Sequence, residues 1–140
     1  MSSIRFFEED VTFQIPHPRK TSTWIKSAIV KEKRTLGELN FIFCSDNHLR
    51  EINIQYLNHH TFTDIVTFDT SEVKGQISGD IFISIDRVQE NAQKFKTTFD
   101  HELHRVLIHG VLHLVGYSDK GTEKKATMRK KEDAYLSLRK

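Results

Sequence analysis

Apolar positions follow two rhythms along this chain. Short apolar or alternating runs predict strands at Ile4 to Phe7, Leu39 to Cys44 (LNFIFC), Asp64 to Asp69 (DIVTFD) and Gly79 to Ile85 (GDIFISI). Elsewhere the apolar residues step by three and four, as on one face of a helix. Thr21 to Lys31 carries Trp24 and Ala28 with Ile25 and Ile29 beside them, capped by Thr21 or Ser22, and Gly37 falls in the turn that follows. Ser45 or Asp46 caps a second helix with an inner stripe of Leu49, Ile52 and Tyr56 with Leu57. Asp86 caps a third, with Val88, Ala92 and Phe95 on one side. Thr98 or Asp100 opens a fourth, and Thr122 starts a last helix that runs to about Leu138. Pro16 and Pro18 mark a turn before the first helix, and Ser71 to Ser78, with Gly75, is a turn region. Strands mixed with helices, without strict βαβ alternation, predict an α+β fold: a small mixed sheet of about four strands packed against several helices.

A chain of 140 residues is expected to form one domain, residues 1–140, around a single core. With 37% hydrophobic and 29% charged residues it has an ordinary globular mixture, which argues against a disordered or membrane-embedded chain. No run of about 18 apolar residues exists, so no membrane span is expected. The opening MSSIRFFEEDVTF has acids where a signal peptide needs an apolar core, which points to the cytoplasm. A lone cysteine, Cys44, rules out an internal disulfide and fits a reducing compartment; lying in an apolar run, it reads as a small buried side chain. The net charge of +2 is unevenly spread. From Lys120 onward there are eight Lys or Arg against three acids, which suits either phosphate contact or the solvated face of a last helix.

The fourth helix carries the chemistry. Its end, HGVLHLVGYSDK, reads His109-x-x-x-His113-x-x-Gly116-x-x-Asp119. Histidines four apart lie about 40° apart on a helical wheel, so both imidazoles can grip one ion. Leu103, Leu107, Gly110 and Leu114 form a different, core-facing side. Gly116 lets the chain leave the helix in a left-handed turn that can bring Asp119 back as a third ligand. Three protein ligands and a position open to water are the arrangement of a catalytic zinc. The expected cofactor is one Zn²⁺, or another divalent transition metal, held by His109, His113 and Asp119.

Gly110 also narrows the reaction class. Zinc peptidases of the HExxH type have a glutamate base directly after the first histidine, and here that residue is glycine. Glu102 is seven residues back, about 10 Å along the axis, and reads as an acid favoured by the helix dipole. No side-chain base can be assigned from sequence, and a metallopeptidase becomes the weaker reading. His101 and His104 lie off the ligand face, His59 and His60 sit in a loop, and His17 and His48 read as exposed.

HGVLHLVGYSDK resembles the HGxLHLxGYDH signature of the YbeY family, metal-dependent single-strand endoribonucleases of rRNA maturation. Leu57-Asn58 followed by TDIVTF (63–68) resembles the family's LN…TNVLSF, and GDIFIS (79–84) its GDIxIS strand. The resemblance implies an α+β fold, RNA as the partner (rRNA or the small ribosomal subunit), and hydrolysis of a phosphodiester by metal-activated water. Two departures stand out. Position 119 is Asp where the family usually has His, and the segment between Asn58 and Thr63 is short and lacks the arginine that the family pattern places there to meet a phosphate. Arg50, Arg87, Arg105, Lys124 with Lys125, and Arg129 to Lys131 are the basic residues that could take its place. The alternative reading is a ribosome-associated assembly factor whose metal pins the C-terminal turn.

Overall fold

The computed structural model describes residues 2–58 and 63–139. Its elements run β1 (Ser3–Glu8), α1 (Pro18–Lys31), β2 (Thr35–Cys44), α2 (Asp46–Leu57), β3 (Ile65–Asp69), β4 (Gln76–Ser84), α3 (Ile85–Lys94), α4 (Phe99–Val115) and α5 (Thr122–Ser137). The sheet order is β1-β2-β4-β3. β1 and β4 each pair parallel to β2, and β3 closes the far edge antiparallel to β4. This is the expected α+β fold with a four-stranded mixed sheet. The β1-α1-β2 stretch is a parallel crossover, so some βαβ character is present after all.

Strand side chains alternate between faces, and that alternation divides the core. Leu39, Phe41 and Phe43 of β2, with Ile77, Ile81 and Ile83 of β4, meet Ile25, Ile29, Leu103, Leu107, Ile108 and Leu112 of α1 and α4 in the main cluster. The opposite face is thinner: Cys44 and Val66 pack with Leu49 and Ile52 of α2, flanked by Phe68 and Phe82. Burial and the nearby carboxylates of Asp10, Glu9, Asp86 and Asp46 push the Cys44 thiol up to about 12, so it stays protonated.

Several local expectations are corrected. α1 begins at Pro18, behind His17 and without a side-chain cap, so Thr21 and Ser22 lie inside the helix. β4 begins at Gln76, inside the stretch expected to be a turn. Gly37 lies within β2 and not in the turn before it. Ser78 Oγ occupies the space a Cβ would need there and accepts the Glu38 N–H at 3.0 Å, where the β2–β4 register shifts. α3 is capped by Ser84, whose hydroxyl accepts the Arg87 N–H at 3.0 Å, and Asp86 falls in its first turn. The stripe of α2 ends early: Tyr56 and Leu57 are exposed, and Tyr56 reaches only the edge of Phe68, ring centroids 5.6 Å apart. Phe95 points outward, because α3 ends at Lys94 and a left-handed Lys96 redirects the chain.

Gly79 lets β3 and α4 close on β4. A Cβ at this position would lie 2.5 Å from the Phe68 carbonyl oxygen and 3.0 Å from Leu114 Cδ1. A backbone oxygen in a strand pair cannot move aside as a side chain can. Gly79→Ala is therefore expected to destabilise the fold by about 1–3 kcal/mol, the usual cost of overpacking. Urea unfolding checks this, and an unchanged midpoint would refute the close approach.

Candidate metal centre

α4 begins with Thr98, whose hydroxyl accepts the His101 N–H at 3.1 Å, and Asp100 lies in its first turn. It lies deep against the sheet because Gly110 faces Ile65 and Ile81, whose methyls would stand 2.8 and 3.1 Å from an added Cβ. Gly110 thus serves close packing, as its core-side position suggested. At the other end Gly116 takes φ 125°, and the N–H groups of Gly116 and Tyr117 both return to the Leu112 carbonyl.

That turn carries Asp119 back over the helix end. Asp119 Oδ2 lies 3.5 Å from His109 Nε2 and 3.7 Å from His113 Nε2. The three ligand-capable atoms all fall within 4.8 Å of one another. Around a tetrahedral ion with bonds of about 2.0–2.2 Å, ligand atoms sit roughly 3.4 Å apart, so this donor set fits zinc with little adjustment. The side chains remain 21, 29 and 43% accessible for His109, His113 and Asp119, which leaves a coordination position reachable from solvent.

Behind His109 stands a residue that sequence reasoning missed. Glu132 of α5 is buried, and its Oε2 accepts a hydrogen bond from His109 Nδ1 at 2.6 Å. With Nδ1 turned to that carboxylate, the Nε2 edge of the ring faces Asp119 and His113. A carboxylate behind a histidine ligand is a recurrent support of metal sites. Glu132 is held in turn by Arg105, whose Nη1 donates to Oε1 at 2.8 Å while Nη2 donates to Asp133 at 2.8 Å.

The electrostatics differ for the two imidazoles. Burial lowers the pKa of His109, but the hydrogen bond and charge of Glu132 outweigh it, and the net shift is upward. His113 shifts downward, through burial first and then the charge of His109, so it is neutral and ready to coordinate near pH 7. Asp64, at the entry to β3, is raised by desolvation and lowered in part by the charge of His109. Glu102 is buried rather than a solvated acid at a helix start; burial and the charge of Asp64 raise its pKa, and it stands outside the group of three.

The ligand turn is also held from the far side. Tyr117 donates to Glu32 Oε1 at 2.7 Å; Lys131 (at 3.1 Å) and Tyr135, both on α5, donate to Glu32 Oε2. Glu32 follows directly on α1, so α1, the turn and α5 meet at one carboxylate, which these donors hold below its ordinary pKa despite burial.

The remaining candidates separate cleanly. His104 is buried against Trp24, with Nδ1 2.7 Å from the Asp100 carbonyl oxygen. His17 is exposed as expected, and His48 is half-buried. His59 and His60 lie outside the described residues. Arg87 is held by Asp46 at 2.8 Å. The outer face of α5 exposes Lys124, Lys125, Arg129 and Lys130, while Met128, Glu132 and Tyr135 face inward. No helix among the described residues is long and apolar enough to cross a membrane.

Comparison with known proteins identifies the family. The family model described as Endoribonuclease YbeY matches residues 6–139. A curated Endoribonuclease YbeY of Cytophaga hutchinsonii is 56% identical over 138 residues, which cover 99% of this chain and 96% of that protein. The protein of the same name from Flavobacterium psychrophilum is 50% identical over 132 residues, 94% of each chain. The solution structure of TM1509 from Thermotoga maritima aligns with a TM-score of 0.59 at 31% identity, covering 96% of this chain and 87% of that one. With near-complete coverage at such identity, and with the signature segment supplying the convergent side chains, this chain belongs to the YbeY family.

Proposed function

We propose that this chain is a cytoplasmic, zinc-dependent endoribonuclease that cuts single-stranded RNA during rRNA maturation, with rRNA or the small ribosomal subunit as its partner. One domain over residues 1–140 carries the activity. The observation that supports this most is the convergence of His109, His113 and Asp119 on one solvent-reachable point, with Glu132 bracing His109 from behind. Zinc held there would supply a Lewis acid for a phosphoryl oxygen and make a coordinated water more acidic. Asp119 adds a negative charge to the donor set, and its oxygen also suits other divalent transition metals. Glu132 fixes the orientation of His109.

A second reading, an assembly factor with a structural metal, is favoured by one observation: residues 59–62, HHTF, contain no arginine to meet a phosphate. Metal analysis of the purified protein, beside cleavage of a single-stranded RNA with and without chelator, separates the two. The expected result is about one zinc per chain and cleavage that stops with chelator and returns with zinc. Undiminished cleavage by metal-free protein would remove zinc from the mechanism. Ribosome binding without any cleavage would establish the second reading.

A further inference from the structure

The chain breaks its own hydrophobic pattern at one place close to the site. Phe95 occupies the position that continues the apolar side of α3, yet it is 54% exposed. It stands between two exposed lysines, Lys94 and Lys96, and the left-handed φ of 56° at Lys96 turns the chain so that the ring faces solvent. The Lys94 Nζ lies over the ring, 5.7 Å from its centroid.

Beside this ring runs a groove of about 310 Å³ lined by Phe95, Thr97, His101, Arg105, Arg129 and Asp133. Two of its lining residues, Arg105 and Arg129, face Glu132. Arg129 Nη1 lies 3.8 Å from Glu132 Oε1, and the other oxygen of Glu132 holds His109. One carboxylate, that of Glu132, thus links a lining residue of the groove to His109, a candidate ligand. Arg105 is committed to Glu132 and Asp133, whereas the Arg129 side chain is 56% accessible.

We infer that this groove is a subsite for an unpaired nucleotide of the RNA strand, flanking the phosphodiester held at the metal centre. The inference rests on the endoribonuclease reading. An exposed aromatic ring between cations is what single-strand binders use: any base can stack on the ring, and the cations follow the backbone. A base arriving on Phe95 takes the place of the Lys94 ammonium, which is then available to a phosphate together with Lys96 and Arg129. A duplex cannot use the ring, because its bases are already stacked on each other. Residues 59–62 contain no lysine or arginine, whereas Arg129 lines the groove.

The test uses the full-length, zinc-loaded protein and a fluorescein-labelled 2′-O-methyl single strand of about 12 nucleotides, within the usual span of single-strand sites. Anisotropy should show Phe95→Ala binding about tenfold more weakly, with Phe95→Trp restoring wild-type affinity. Arg129→Ala should lower the slope of log K against log salt by about 0.7, the share of one phosphate contact. Binding of the matched duplex should not respond to Phe95→Ala. Phe95 is exposed, so the melting temperature of the variant should match wild type and exclude a folding defect. Unchanged single-strand affinity in Phe95→Ala, an equal loss on the duplex, or absence of single-strand binding by wild type would each overturn the inference. Cleavage separates the two proposals. If the binding pattern holds but no form of the protein cuts unmodified RNA, the nuclease reading fails and the groove stands. If wild type cuts and Phe95→Ala cuts a long strand with unchanged KM, the groove fails alone.

Discussion

The His113→Ala protein is expected to carry no zinc after purification and to leave single-stranded RNA intact. His113 is the neutral donor of the group, because burial and the charge of His109 both hold its pKa down. Its removal leaves one imidazole and one carboxylate, fewer protein ligands than catalytic zinc sites use. The side chain is 29% accessible, so little core packing is lost. Stability in chelator should therefore stay close to that of wild type, while the stabilisation that zinc gives wild type should be absent. Elemental analysis, thermal melts with and without zinc, and cleavage of a labelled RNA check the three parts. Wild-type zinc content in the variant would move the metal elsewhere.

Glu132→Ala should have the second largest effect, and it should act on both stability and metal affinity. The carboxylate is nearly fully buried and holds His109 and Arg105 at once. Removing one partner from a buried ionic group costs about 3–5 kcal/mol, because the other is left uncompensated. Loss of a carboxylate behind a metal-binding histidine costs about 10–100-fold in metal affinity or activity. The pH dependence has a definite sign. His109 titrates above its ordinary value of 6.5 in the folded protein, so its share of the metal-free stability is complete below pH 6.5 and is lost as pH rises through the raised value. Part of the Glu132→Ala deficit should accordingly shrink at high pH, and the Arg105 part should remain. Metal binding runs the opposite way, strengthening with pH as protons leave the imidazoles. Denaturant melts of metal-free protein at pH 6 and pH 9, with zinc titrations at both, would show the pattern; a deficit independent of pH would mean that His109 draws no stability from Glu132.

Much of this was legible in the residues themselves. LNFIFC and GDIFISI announce the two central strands because a strand covered on both faces needs apolar residues in succession. The histidine spacing, Gly116 and Asp119 carry their geometry in their numbering. Glu132 does not, since 23 residues separate it from His109 and α5 is polar nearly throughout. Its one local sign is the spacing Met128, Glu132, Tyr135: an acid placed within the inward stripe of a helix. Asp64 was hidden for the same reason, as its setting comes from the neighbouring helix and not from DIVTFD. Tyr56 and Phe95 failed the other way. Periodicity marks them as inward-facing, but α2 and α3 end too soon for the sheet to cover them.

The carboxylate of Glu32 has a consequence for when the site can exist. It joins a residue from the first quarter of the chain to Tyr117, Lys131 and Tyr135. Glu132, the brace of His109, lies on the same final helix as two of these donors. Strands β1 to β4 all precede α5 along the chain. The ligand turn and the histidine orientation must wait for that helix. A centre built this way depends on contacts between the two ends of the fold, and is complete only when α5 has docked against α1 and the turn.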